Sequence, residues 1–524
     1  MNLTATLIFA LIFVFVTVLG FLAARWRAGD LTQLHEWGLG GRRFGTFVTW
    51  FLLGGDLYTA YTFIAVPALI YGGGAIGFFA VPYTILVYPI LYLVFPRLWT
   101  EARRSGHVTA ADFVAARFAN RWLGLAVSLT GLLATMPYIA LQLVGMAVVI
   151  GALGFQATGF AGDIPLIIAF VILAAFTYTS GLRAPAMIAV VKDVLIYITV
   201  FAAIIAVPRA LGGMSHVFSA VPAAKLLLPT PQAGSLGSYS AYATLALGSA
   251  IALFLYPHSV TAILSSSSAA VIRRNAAILP AYSFVLGLLA LLGFMAVAMG
   301  LGTRPEFAAG FARFGTNYAV PALFLAVFPS WFVGIAFAAI AIGALVPAAI
   351  MSIAAANTFT RNIYKEYFRP DATPKEETAV AKVVSLVVKF VVLGFVIFLN
   401  PSFAIDLQLI GGVIILQTLP AVGIGLFTRW FHRTALVWGW AVGMVTALVL
   451  LYQIPKVDAS TGEVIKAHFG GSGYALSHFG FDTSMAIWAG IPAILANLVV
   501  AVVLTLLLRA VHVADGVDAT RHDD

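Results

Sequence analysis

Asp56, Tyr58 and Thr59 follow the pair Gly54-Gly55 in the middle of an apolar run from about residue 46 to residue 70. The run is long enough to cross a bilayer. An ionisable side chain at that depth costs about 2.5–3.5 kcal/mol on insertion scales, so it needs a task or a partner. Paired glycines make an unbroken helix less favourable, and a broken helix within a membrane is tolerated only where it lines a cavity or is buried in protein. These residues predict a discontinuous helix that forms half of a solute or ion site. Asp56 then either faces a cation, proton or solute, or accepts backbone N–H groups freed by the break, as a cap does. A second interrupted run carries Tyr256-Pro257-His258-Ser259 at its centre. His258 changes charge near neutral pH, which suits proton relay or carboxylate binding; its structural alternative is a hydrogen-bonded interior histidine. Tyr138 and Gln142, with Gln408 and Gln417 in a later run, add hydroxyl and amide groups at similar depth.

The elements that position these groups are read from hydropathy. Of 524 residues, 62% are hydrophobic and 9% charged, with a mean hydropathy of +1.01. A soluble chain carries about a quarter charged residues, so this is an all-α polytopic membrane protein. The absence of cysteine excludes disulfides, cysteine-ligated zinc and thiol catalysis. Apolar runs predict about 13 spans, near 3–25, 45–70, 75–98, 122–153, 163–181, 186–207, 240–265, 277–301, 331–362, 379–400, 404–427, 435–454 and 485–510. The first is read as a retained span rather than a cleaved signal.

Of the 29 Lys and Arg residues, 20 fall in loops after odd-numbered spans, 6 after even-numbered ones, and Lys192, Lys382 and Lys389 lie in spans or at their edges. That bias predicts an outside N-terminus and a cytoplasmic C-terminus. It also accounts for the net charge of +9 without nucleic acid. The loops 208–239 and 455–484 read as outer surface loops or short helices, and the tail 511–524 as disordered. No H-E-x-x-H, G-x-S-x-G or P-loop pattern occurs, so an enzyme is not expected. Two interrupted spans, five spans apart, point to an inverted-repeat transporter.

Several motifs then carry a family resemblance. Gly54-Gly55-Asp56-Leu57 looks like a broken first core helix, and Thr109-Ala110-Ala111-Asp112-Phe113 with Arg117-Phe118 like a T-x-x-E/D-F-x-x-x-R-F/Y box. The stretch from Tyr138 to Gly145, Gly181-Leu182-Arg183-Ala184 with Lys192-Asp193-Val194, Pro257-His258 and Arg361-Asn362-Ile363-Tyr364-Lys365 follow in the expected order. Together they resemble the solute:sodium symporter family over roughly residues 1–430, in wording closest to bacterial monocarboxylate permeases.

The resemblance implies a LeuT-like fold of two inverted five-span repeats, 45–207 and 240–427. An extra N-terminal helix and first cytoplasmic loop (1–44), an outer loop (208–239), two further helices (428–510) and a cytoplasmic tail (511–524) complete it. The implied function is cation-coupled symport of a small monocarboxylate of the lactate, pyruvate, acetate or alanine type, in the inner membrane, with sodium or a proton as coupling ion and no cofactor. Symport of proline, pantothenate or a sugar is the alternative, and a transporter-like sensor the alternative of another class.

The implied sodium site takes backbone carbonyls of Gly54 and Leu57, with Gly343 and Val346 on span 9; Asp56 and Asp193 complete the cation set. The family's hydroxyl pair falls here on Val346-Pro347, which cannot ligate a cation, although Pro347 frees a carbonyl near Gly343. Asp193 corresponds to an acid linked to inward sodium release, or else pairs locally with Lys192 or Arg183. The solute set is Gly55, Asp56, Tyr58, Thr59, Tyr138, Gln142, Tyr256, His258 and Gln408. No base is assigned to the cavity; a carboxylate is expected on free N–H groups of the half-helix starting near Tyr58 and Thr59. Lys389 is expected to neutralise Asp56 or Asp406 or to snorkel, in a structural role.

Overall fold

The computed structural model describes residues 2–26, 29–55, 57–155, 160–233, 235–398, 404–457, 463–481 and 484–520. Among them, ten helices are long and apolar enough to cross a membrane, and an eleventh crossing is made if the pair Ser238–Leu253 and Pro257–Leu264, bent by 49°, is taken as one. Two predicted runs are cut into shorter pieces. The run 45–70 becomes helix Thr46–Gly55, a π-helical turn Tyr61–Ala65 and helix Val66–Gly73. The run 404–427 becomes helix Ala404–Ile415, a 3-10 turn and a π turn that opens on Pro420.

Position in the molecule follows side-chain size. Helix Ser330–Phe359 is apolar on every face and rich in Ala; 94% of its most apolar window is buried, against 17% for the N-terminal helix and 28% for Gly490–Ala510. A helix apolar all round belongs either in a core or against lipid, and small residues let neighbours approach this one closely. The N-terminal helix does so at Gly334, where a Cβ would lie 2.6 Å from the Ala5 carbonyl oxygen. Helix Arg121–Ala152, also mostly buried, packs against it as well.

One end of the molecule gathers the arginine-rich loops. Thr109 and Asp112 form a reciprocal capping box at the start of helix Ala110–Phe118, a device worth about 0.5–2 kcal/mol. Asn362, at the end of the long central helix, donates to Asp112 Oδ1 (2.5 Å) and accepts from Thr109 Oγ1 (2.7 Å). Two motifs some 250 residues apart are thereby joined. Glu377 holds Arg361 (3.0 Å) and Lys365, and Glu36 holds Arg43 (2.7 Å) and the buried Arg183. The tail is not disordered through residue 520, contrary to its composition: Asp518 pairs with Arg117 at 2.7 Å and the Gly516 carbonyl accepts from Arg429. A short acidic segment next to excess basic charge has a docking site.

At the other end the loop 208–239 carries helices Met214–Ala220 and Ala223–Leu226. The loop 455–484, expected as surface loop or short helices, carries one short helical turn, Leu476–Phe479, and short strands besides. It forms antiparallel pairs Lys456–Val457 with Val464–Lys466, and Gly473–Ala475 with Ala486–Trp488. Cross-strand pairing satisfies its backbone where no helical period exists. Trp488 lies on Gly248, where a Cβ would meet the indole at 2.1 Å.

Two outcomes follow from this packing. A Cβ on Gly54 would lie 2.1 Å from Tyr282 Cζ, so Gly54→Ala should lower the melting temperature of the purified protein by the equivalent of about 1–3 kcal/mol; an unchanged melting temperature would mean that the ring moves aside freely. In the loop 105–109, burial pushes the His107 imidazole below the ordinary value of 6.5. The folded state therefore binds this proton less readily than the unfolded state, and stability present above pH 6.5 is lost as pH falls through the lowered value. Acid melting should be shallower for His107→Gln than for wild type; parallel curves would remove His107 from that role.

Candidate solute and cation site

The first break begins where Gly54 and Gly55 end their helix. The Gly54 carbonyl accepts from Leu57 N–H (2.9 Å) and Tyr58 N–H (3.1 Å), closing a tight turn. It is thus committed within the backbone and not offered to a cation as the resemblance implied. Asp56 lies outside the described residues. Beyond the turn, Thr59 Oγ1 accepts from Tyr61 N–H and Thr62 Oγ1 from Thr59 N–H, both at 3.0 Å, and Gln142 Oε1 accepts from Ala60 N–H at 3.0 Å. The N–H groups expected to hold a carboxylate here already have protein partners. Thr59 is a cap of the broken helix.

The second break spans residues 254–256 between Leu253 and Pro257. Proline restarts the helix because its first N–H would have no partner. Tyr256 O–H donates to the Gln408 carbonyl at 3.3 Å. The rings of Tyr138, Tyr256 and His258 form a triangle with centroids 5.2–5.6 Å apart. Gln408 Oε1 has no hydrogen-bond partner among the described residues.

Both breaks dock on one face of helix Arg121–Ala152. Residues 131, 138, 142 and 145 recur at spacings of seven, four and three, which places them on one helical stripe. A Cβ on Gly131 would lie 2.7 Å from Pro257, and one on Gly145 would lie 2.3 Å from the Ala60 Cβ. Between these close approaches stand Tyr138 and Gln142, both buried. Gln142 is the direct tie to the first break, and Tyr138 the contact to the second. Gln417, on the other hand, faces away: its side chain bonds Val413 and Asn497.

The remaining predicted residues form a separate group on the far side of the first break. The Lys192 ammonium, wholly buried, donates to the carbonyls of Gly55 and Tyr58, each at 3.0 Å, and lies 3.0 Å from Asp193 Oδ1. Tyr282 O–H donates to Asp193 Oδ2 (2.5 Å), and Tyr58 O–H donates to the Tyr282 carbonyl (3.0 Å). Tyr58 therefore belongs with Lys192 and Tyr282, away from Tyr138 and His258. The Asp193 pairing is with Lys192; Arg183 goes to Glu36. Neighbours in sequence point about 100° apart, but the lysine stem is long enough to curl back. Attraction between two unit charges at this distance is about 5 kcal/mol at an effective dielectric of 20, against a desolvation cost of several kcal/mol per ion. The two carbonyls and the tyrosine hydroxyl make the buried pair tolerable.

On the facing wall, Gly343 comes within reach of the Tyr58 carbonyl, 3.9 Å from where its Cβ would stand. Val346 and Pro347 are buried there without a side-chain oxygen. Ser352 is turned to its own helix, donating to Ala349 O. Lys389 does not snorkel: it is buried, with its ammonium 2.7 Å from Ser385 Oγ, while Asp406 pairs with Lys456. Lys192 and Tyr282 were missing from the expected site. A lysine inside an apolar run was a visible signal for the first; nothing local marks the second.

Comparison places the chain among known proteins. Residues 37–443 match the model of the sodium:solute symporter family. A monocarboxylate transport permease protein of Rhizobium johnstonii is 51% identical over 514 residues, covering 97% of this chain and 98% of the relative. The uncharacterized symporter YodF of Bacillus subtilis is 35% identical, covering 86% and 89%. In three dimensions the chain is similar to a Na+-coupled sialic acid symporter solved in a substrate-bound, outward-open state, with a TM-score of 0.73, 16% identity, and 96% and 98% coverage. With its mostly helical, multi-span architecture, its two breaks on one helix and this set of relatives, the chain belongs to the sodium:solute symporter family, whose members are transporters and not enzymes.

Proposed function

We propose that this protein is a cation-coupled symporter of a small monocarboxylate of the lactate, pyruvate, acetate or alanine type. It works by alternating access in the inner membrane, with the N-terminus outside and the C-terminus cytoplasmic. The two interrupted helices belong to five-span repeats, 45–207 and 240–427, followed by two further helices over 428–510. The observation that carries the reading is the buried wall between the breaks: Tyr138, Gln142, Tyr256 and His258. Among these four, His258 alone can carry positive charge, and the others offer few polar atoms. Such a wall suits one small anion better than a sugar, whose hydroxyls need many partners. The 51% identity to a relative named as a monocarboxylate permease supports the same substrate class.

Alternating access needs paths that close. At the arginine-rich end a cavity of about 430 Å³ is lined in part by His107, Asp112, Arg121, Arg361 and Asn362. A separate space between Thr109 and Pro257 measures about 20 Å³, room for about one water, and in this reading it lies on the inward path. Separation of Asn362 from the Thr109–Asp112 cap would widen that path inward. Differential affinity of solute and cation for the two orientations supplies coupling.

The test is counterflow and uptake of labelled lactate, pyruvate, acetate and alanine in proteoliposomes, with proline and a sugar as competitors. Carboxylate counterflow is expected; competition by proline or sugar alone would overturn the substrate class. Gln142→Leu leaves the Ala60 N–H without its acceptor, at about 1–3 kcal/mol. Half-saturation should rise about tenfold, the equivalent of 1.4 kcal/mol, while unaltered uptake would remove Gln142 from the solute site.

A further inference from the structure

The Lys192 ammonium has oxygen on several sides: the Gly55 and Tyr58 carbonyls and Asp193 Oδ1, all at 3.0 Å. Space for it is built in, since a Cβ on Gly55 would lie 2.9 Å from Lys192 Nζ. A sodium ion at the first break, the ion the family implies, needs several oxygen ligands. At the oxygens of Gly55, Tyr58 and Asp193, the described residues do not fit it. The two carbonyls already accept from Lys192, the adjacent carboxylate is paired with that same ammonium, and the wall made by Gly343, Val346 and Pro347 adds no side-chain oxygen. A sodium ion at these oxygens would also sit beside a fixed positive charge, in surroundings that screen it poorly.

Few titratable groups face this ammonium. On helix Arg183–Ala210 they are Asp193 and Tyr197; helix Pro280–Ala298 contributes Tyr282, and the break contributes Tyr58, with Asp56 outside the described residues. Helices Leu3–Leu22, Thr46–Gly55, Ala319–Val327 and Ser330–Phe359 also pack on that helix and carry none. Its other neighbours offer Arg25, Asp163, Tyr178 and His216, all near the ends of their own helices or within short ones.

We propose that Lys192 is a tethered cation standing in place of a bound sodium ion at the first break, so that this site takes no sodium and the proton is left as the coupling ion. The second half of this statement rests on the symport reading above; the first does not. The full-length protein is melted in sodium chloride and in choline chloride, with no solute present. Wild type is expected to melt at the same temperature in both. Lys192→Ala is expected to melt lower in choline and to recover in sodium, because the freed carbonyls and the Asp193 carboxylate then form an oxygen site for it. Lys192→Ser, which supplies a hydroxyl, serves the same purpose if the alanine variant does not fold. A sodium-specific rise in wild type overturns the proposal, as does indifference to sodium in a folded variant. In proteoliposomes, an inward proton gradient in sodium-free medium should drive lactate or pyruvate accumulation, and accumulation driven by sodium alone overturns proton coupling. Lack of any carboxylate counterflow would count against the substrate reading, and the melting comparison would still decide the role of Lys192.

Discussion

The carbonyl oxygens of Gly55 and Tyr58 point into the interior of a membrane protein, where lipid offers no donor, and both end on the ammonium of Lys192. A helix can break there only because a partner satisfies the backbone it exposes. The contact runs in both directions. The carbonyls and Asp193 stabilise a lysine that would otherwise be a costly buried charge, and the lysine fixes the break against helix Arg183–Ala210. Tyr282 extends the arrangement to a third helix through Asp193, and its ring fills the space left by the missing side chain of Gly54.

The other face of the same break is held differently. Thr59 and Thr62 satisfy its first N–H groups locally, and Gln142 reaches in from helix Arg121–Ala152. That helix also receives Pro257 at Gly131. One rigid stripe therefore sets the spacing of both breaks. The polar groups divide into an ion-paired cluster around Lys192 and an uncharged or imidazole-bearing wall around Tyr138.

Distant loops meet at the arginine-rich end. Asn362 ties the end of the most buried helix to the Thr109–Asp112 cap, and the C-terminal segment docks on Arg117. These hydrogen bonds and this ion pair are largely buried, with Thr109 6% and Asn362 8% exposed and the Asp518 side chain 3% exposed, so parting them without new partners carries a cost.

The membrane-spanning class, the two interrupted helices and the family were legible in the sequence, because hydropathy, helix-breaking residues and motif spacing are local properties of a chain. So was the anomaly at Val346-Pro347, which needs only the side chains' chemistry. Beyond the local pairing of Asp193 with Lys192, partnership was not legible. Gly54 rather than Gly55 was expected to offer its carbonyl, and Tyr58 was grouped with Tyr138, because a broken helix does not announce which way its oxygens turn. Lys192 was visible as a base in an apolar run, but neighbouring residues on a helix diverge by about 100°, so its curl towards both Asp193 and the break depended on the helix packed against it. Tyr282 carries no local signal at all; its role exists only through an approach across 89 residues of sequence. Sequence determined which residues are costly to bury, and the tertiary structure decided what each one meets, since hydrogen-bond partners lie within about 3 Å in space and at any distance along the chain.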